Sequence, residues 1–285
     1  NNAQQTPGEK QTMKIIINNC FIHIGNGNII KDGAVIFFEG KLTYVGKSVN
    51  LDDYLSDESI IIDAKGKHLY PGFIAANSTL GLVEIDAVRS TRDLDEIGDF
   101  LPHIRSIVAY NAESRIIESV RPNGVLTAQV APRGGIISGK SSIVQLDAWN
   151  WEDAVIKLDE GIHLNWPSPY TRNYRENTIR KNNNYSKSIS SINNFFNESK
   201  VSTSKTKLNL PYQAMQGIYN GSETVYLHAN YEKQIVDGVS FLKTKKIENI
   251  VLVHGQETEN QIDFLKKHNI PVIISKPCLL YTSPS

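Results

Sequence analysis

Apolar and polar positions alternate in short runs at the start of the chain. MKIIINNCFIHIG (13–25), AVIFFEGKLTYVG (34–46) and SIIIDAKGKHLYP (59–71) are rich in β-branched and aromatic residues, and NGN, KDG, EGK and KGK separate strand from strand. Such runs, bounded by Gly, Asn and Asp, predict strands joined by tight turns. Glu39-Gly40-Lys41 predicts a hairpin in which Gly40 supplies a positive φ. Residues 13–68 are therefore expected to form a small β-sandwich unit, preceded by a polar, disordered segment, 1–12.

From Leu69 onward the rhythm becomes strand, long connection, strand. IESVRPNG (117–124) ends a helical stretch at Asn-Gly, and VLTAQVAP (125–132) follows as a strand. TVYLHAN (224–230) is a strand before YEKQIVDGVSFLKTKK (231–246), where Ile235, Val239 and Leu242 recur at helical spacing. NIVLVHG (249–255), a helix through TENQIDFLKKHN (258–269) and PVIIS (271–275) repeat the unit. Near-continuous apolar strands alternating with helices predict a parallel α/β sheet or barrel over 69–277. Residues 172–209, rich in Asn, Ser and Lys, read as a polar surface insertion, with Ile189, Ile192 and Phe196 placed to dock one helix face.

Composition narrows the function classes. Lys plus Arg and Asp plus Glu are 30 each, so no net charge points to nucleic acid or an anionic membrane. No apolar run has the length of a membrane span. Two cysteines, Cys20 and Cys278, offer neither a disulfide framework nor a cysteine-rich zinc site. The first residue is Asn, so export to a periplasm-like compartment is expected if a signal peptide precedes Asn1, and a cytoplasmic location otherwise. At the other end CLLYTSPS (278–285) reads as the translation of a transposase-type sequencing adapter, against the alternative of a natural polar tail. On the adapter reading, native sequence stops near Pro277.

Candidate chemistry gathers at strand ends. His228 closes TVYLH and His254 closes IVLVH, and the C-terminal ends of barrel strands are where sites assemble. Two imidazoles from consecutive strands suit one metal ion; each alone would read as a hydrogen-bonded core histidine. His163, in GIHLNWP, is the third-ligand or substrate-contact candidate. In APRGGIISGKSS (131–142), Arg133, Gly134 and Gly135 read as a substrate-facing loop, with Arg133 or Lys140 available to an anion. The same stretch satisfies phosphate-loop spacing from Gly134, a reading that requires a helix starting near Lys140. Trp149 and Trp151 read as packing anchors.

IIDAKGKHLYPGFI, NGVLTAQVAPRGG, VYLHAN and VLVHG together resemble the amidohydrolase superfamily, in particular imidazolonepropionase-like and related metal-dependent hydrolases. The resemblance implies a distorted (β/α)8 TIM-type barrel, incomplete at the C-terminus, beside the small N-terminal β-sandwich. It places His228 and His254 on the positions that bind the second metal. Asn77 and Thr79 fall where that superfamily has the His-x-His of the first metal, and Ala75 falls on the Asp before it. A proton-transferring Asp on the eighth strand is expected beyond Pro277, and Lys157 is the available lysine for a fourth-strand role without anything that places it there. The implied activity is hydrolysis of a C–N bond other than a peptide bond in a small-molecule substrate, with water activated by one divalent ion, Zn2+. The fragment itself is expected to be inactive. The competing reading is a degenerate amidohydrolase-fold binding or scaffold protein. A homo-oligomer is compatible with either.

Overall fold

The structure is a computed structural model that describes residues 6–48, 59–173, 178–201, 209–255 and 257–274. The adapter-tail reading of 278–285 falls outside these residues, as does the position of the expected eighth-strand Asp. The chain divides into two compact units, Asn1–Phe73 and Ile74–Ser285.

In the first unit β1 (Ile15–His23), β2 (Ile29–Phe38) and β3 (Lys41–Lys47) form an antiparallel meander, and β4 (Ile60–Asp63) and β5 (His68–Leu69) pair with β1 in parallel. Ile16, Asn18, Cys20 and Ile22 alternate as the buried face of β1, and Cys20, Ile22 and Val35 form the unit's small core. The hairpin turn has φ of 50° at Glu39 and 71° at Gly40, the two positive values of a type I′ turn, so both residues, not Gly40 alone, take the left-handed conformation. Residues 6–12 carry no helix or strand, but the Gln11 amide donates to Phe37 O and accepts from Gly40 N. Among the described residues the unit is one five-stranded sheet.

β6 (Phe73–Ser78) leads the chain into the second unit. There follow α1 (Arg115–Val120), β7 (Val125–Val130), β8 (Ile137–Gln145), α2 (Trp151–Ala154) and β9 (Val155–Asn165). A hairpin of β10 (Tyr170–Asn173) and β11 (Thr178–Lys181) leads to α3 (Tyr185–Val201), α4 (Leu210–Ala214) and α5 (Gln216–Asn220). The chain then runs through β12 (Thr224–Ala229), α6 (Glu232–Thr244), β13 (Ile250–His254), α7 (Ile262–Lys267) and β14 (Val272–Ile274). Seven strands make one barrel-like sheet in the order β14-β13-β12-β9-β8-β7-β6.

The regular repeat of parallel βα units expected from the sequence holds on one side only. β9, β12, β13 and β14 are parallel, but β8 runs antiparallel to both β7 and β9. Loop length explains this: only residues 131–136 separate β7 from β8, whereas a parallel crossover needs about a dozen or more residues. The longer connections that hold α6 and α7 do return the chain in parallel.

The main core lies between the sheet's outer face and its helices. Ile162, Leu164, Val225, Leu227, Ala229, Ile250 and Leu252 from the strands meet Ile235, Val239 and Leu242 of α6. The predicted docking of the polar insertion is present: Ile192 and Phe196 of α3 are fully buried in this core and Ile189 packs against it. Trp151 packs on a second core around Ile107, Val130 and Leu146, while Trp149 is 56% exposed and anchors nothing there.

Candidate metal and substrate site

Strand alternation sorts the site before any contact is considered. Since Val225, Leu227 and Ala229 face the outer core, Tyr226 and His228 face inward; since Ile162 and Leu164 face outward, His163 and Asn165 face inward. Parallel register then sets His163 beside Tyr226 and Asn165 beside His228. β13 differs: Val253 pairs with His228, and His254 pairs with the outward Ala229. His254 still reaches the inner side because its backbone turns left-handed, with φ of 81°, followed by Gly255 at 58°. A non-glycine residue at positive φ is costly, and such strain concentrates at functional sites.

The result is a chain of three imidazoles. His163 Nδ1 lies 2.8 Å from His228 Nε2, and His228 Nδ1 lies 3.0 Å from His254 Nε2. His163 is fully buried, stacks on Tyr226 at 4.8 Å, and its Nε2 has no partner. Burial pushes His163 down to about 3, helped by the charges of Arg133 and His254. Burial likewise holds His228 well below the usual histidine range, with His163, His254 and Arg133 adding to it. His254 is lowered by burial and then by Arg133. All three rings are thus neutral near pH 7, which is the ligand form of imidazole.

Arg133 reaches in from the loop after β7. Its Nη1 donates to Asn77 Oδ1 (2.9 Å) and its Nη2 to Asn77 O (2.7 Å), and Nη1 also approaches Ala131 O and Pro132 O. Asn77 has φ of 49°, and its N–H donates to Gln129 Oε1 at 2.9 Å. Gln129 Nε2 donates in turn to Glu160 Oε1 (2.6 Å), which also accepts from Ser141 Oγ, while Glu160 Oε2 accepts from Tyr226 OH at 2.8 Å. Burial and then Glu160 raise the Tyr226 phenol, keeping it a proton donor. A buried polar network therefore runs from Asn77 on β6 to Tyr226 on β12, and Tyr226 supports the His163 ring.

Each sequence candidate now has a place. His163, His228 and His254 converge, and Asn77 joins them through Arg133. Thr79 lies just past the end of β6, its carbonyl accepting from Leu82 N. Gly134 and Gly135 have φ of 83° and 56°, and both carbonyls accept from Asn165 Nδ2. A Cβ on Gly135 would stand 2.6 Å from Gly98 O, so this glycine admits a crossing backbone. Lys140 sits within β8, not at a helix start, and its ammonium pairs with Glu223, which removes the phosphate-loop reading. Lys157 is exposed at the other end of β9. Sequence reasoning missed Gln129, Glu160 and Tyr226. Tyr226 was recoverable, standing two residues before His228 on the same strand face.

A divalent ion fits part of this site. Two nitrogens about 2.0–2.1 Å from a tetrahedral ion stand roughly 3.3 Å apart, near the His228–His254 separation. His228 turns its opposite nitrogen toward His163, so one ion meets two of the three rings. Among the described residues no three His, Cys, Asp or Glu side chains surround one point. The pair is thus two donors of an incomplete set.

No protein-family profile matches the sequence, and no curated protein matches it. A solved structure of an amidohydrolase from Thermotoga maritima MSB8 superposes with a TM-score of 0.79 at 20% identity, over 94% of this chain and 72% of that one. This shows a shared fold. Uncharacterized metal-dependent hydrolases from Pyrococcus horikoshii OT3 (16% identity, 89% of this chain and 50% of that one) and Pyrococcus furiosus (14%, 92% and 54%) give TM-scores of 0.22 and 0.21, too low to support any further comparison.

Proposed function

We propose that this chain is a metal-dependent amidohydrolase that cleaves a C–N bond other than a peptide bond in a small-molecule substrate. The observation that carries the reading is the convergence of His163, His228 and His254 on an inner strand face of an amidohydrolase fold. His228 and His254 are the donors for one divalent ion, Zn2+, with a further donor from outside the described residues, where the eighth-strand Asp is expected. The narrower likeness to imidazolonepropionase-like enzymes rests on sequence motifs only.

Bound at this pair, a zinc ion supplies a water acidified to near neutral pH and a Lewis acid for the scissile carbonyl. The protein's own part is positional. His163 fixes the His228 ring by the 2.8 Å contact, and Tyr226 fixes His163 by stacking. Buried imidazoles stay unprotonated, so their lone pairs remain available as pH falls below 6.5. Asn77 and Thr79 are poor substitutes for imidazole, and the Arg133 cation beside Asn77 disfavours a second metal there. The site is therefore mononuclear.

The experiment is hydrolysis of a panel of N-acyl amino acids and cyclic amides by the full-length protein, with and without chelation. Activity that disappears with chelator, returns with zinc, and is absent from His228→Ala and His254→Ala supports the reading. Chelator-resistant activity would overturn the metal-dependent reading, and no hydrolysis by zinc-replete protein favours the scaffold reading, which the Arg133–Asn77 contact would also suit.

A further inference from the structure

Arg133 uses its guanidinium unevenly. The two Nη atoms together clamp Asn77, one on the side-chain oxygen and one on the carbonyl, and the remaining Nη1 proton points toward Ala131 O and Pro132 O. That accounts for the end-on edge of the planar fork. The side-on edge, Nε–H with the second Nη2–H, has no partner among the described residues, and no described carboxylate pairs with the guanidinium. A half-buried, always-charged group fixed at one edge and open at the other matches the bidentate geometry of a carboxylate. The fixed edge also removes the side-chain freedom that binding would otherwise cost. Its charge acts on His163, His228 and His254 alike, so the guanidinium stands near the three imidazoles.

We propose that the open edge of Arg133 binds a carboxylate of the substrate, so that the substrates are amides bearing a carboxylate near the scissile bond, as N-acyl amino acids do. This rests on reading the mouth as the substrate site. Asn77 is then a positioning residue: it holds the guanidinium without neutralising it, a task neither His nor Asp would perform in the same way.

The test is binding of N-acetylglycine and its neutral isostere N-acetylglycinamide to chelator-treated full-length protein, read by ligand-observed NMR. Two charge-assisted hydrogen bonds predict a preference of about tenfold or more for the acid. Arg133→Gln should abolish that preference. Asn77→Asp, which adds an internal carboxylate against the same guanidinium, should reduce it at least several-fold, and it decides the matter if Arg133→Gln does not fold. Equal binding of the two probes, an unchanged preference in the variants, or tighter binding of inorganic phosphate than of N-acetylglycine overturns the proposal. Because the metal is removed throughout, a retained preference alongside chelator-resistant hydrolysis would strike only the metal-hydrolase reading.

Discussion

Lys140→Met removes one partner of a largely buried ion pair. Lys140 and Glu223 form a salt bridge with side chains only 11% and 15% exposed, between the middle of β8 and the residue before β12. Burial raises the Glu223 carboxyl, and Lys140 works against that rise. Removing the lysine leaves a desolvated carboxylate that no other described cation replaces. Breaking a buried pair in this way costs about 3–5 kcal/mol, a large share of the roughly 5–15 kcal/mol that holds a domain together. Protonation of Glu223 relieves part of the cost, so the loss should be larger at pH 8 than at pH 5. Replacing both partners by apolar residues, Lys140→Met with Glu223→Leu, should recover about 2 kcal/mol or more of it. Urea unfolding of the two single variants and the double variant completes the cycle. A single-variant loss under about 1 kcal/mol, or a double variant no more stable than Lys140→Met, would refute a buried, mutually dependent pair.

Acid should destabilise the fold through His163. Its folded pKa, about 3, lies below the unfolded value of 6.5, so its full contribution is present above pH 6.5 and is lost progressively as pH falls toward 3. At pH 5 that amounts to about 2 kcal/mol for this one ring. Chelator-treated His163→Gln should lose correspondingly less stability than wild type between pH 7.5 and 5, and parallel losses would contradict the assignment. Gly135→Ala combines a positive φ with a Cβ 2.6 Å from Gly98 O and 3.1 Å from Asp99 O. It should cost about 2 kcal/mol or more through strain and loss of the Ile136 and Ile137 N–H bonds to Asp99 O. A change in urea midpoint equivalent to under about 0.5 kcal/mol would show that the loop moves aside freely.

Local patterns were legible wherever one face is buried. The alternation in β1, the helical spacing of Ile235, Val239 and Leu242, and the docking residues of α3 follow from period alone. Strand direction did not follow, because the antiparallel β7–β8–β9 run depends on loop length and closure rather than on composition within the strands. The site was half legible. His163 and His228 share a face by simple alternation, whereas His254 pairs with an outward residue and arrives only through its left-handed backbone, a feature no residue pattern announces. The clamp of Arg133 on Asn77 joins positions 56 residues apart, so it emerges only once β6 and β7 are neighbours.

Metal stoichiometry of the full-length protein, measured by elemental analysis after zinc loading and removal of free ion, tests the mononuclear histidine site most directly. About one zinc per chain is expected, falling to near zero in His228→Ala and His254→Ala and staying at one in Asn77→Ala. No bound zinc, two per chain, or one that survives loss of both histidines would contradict it.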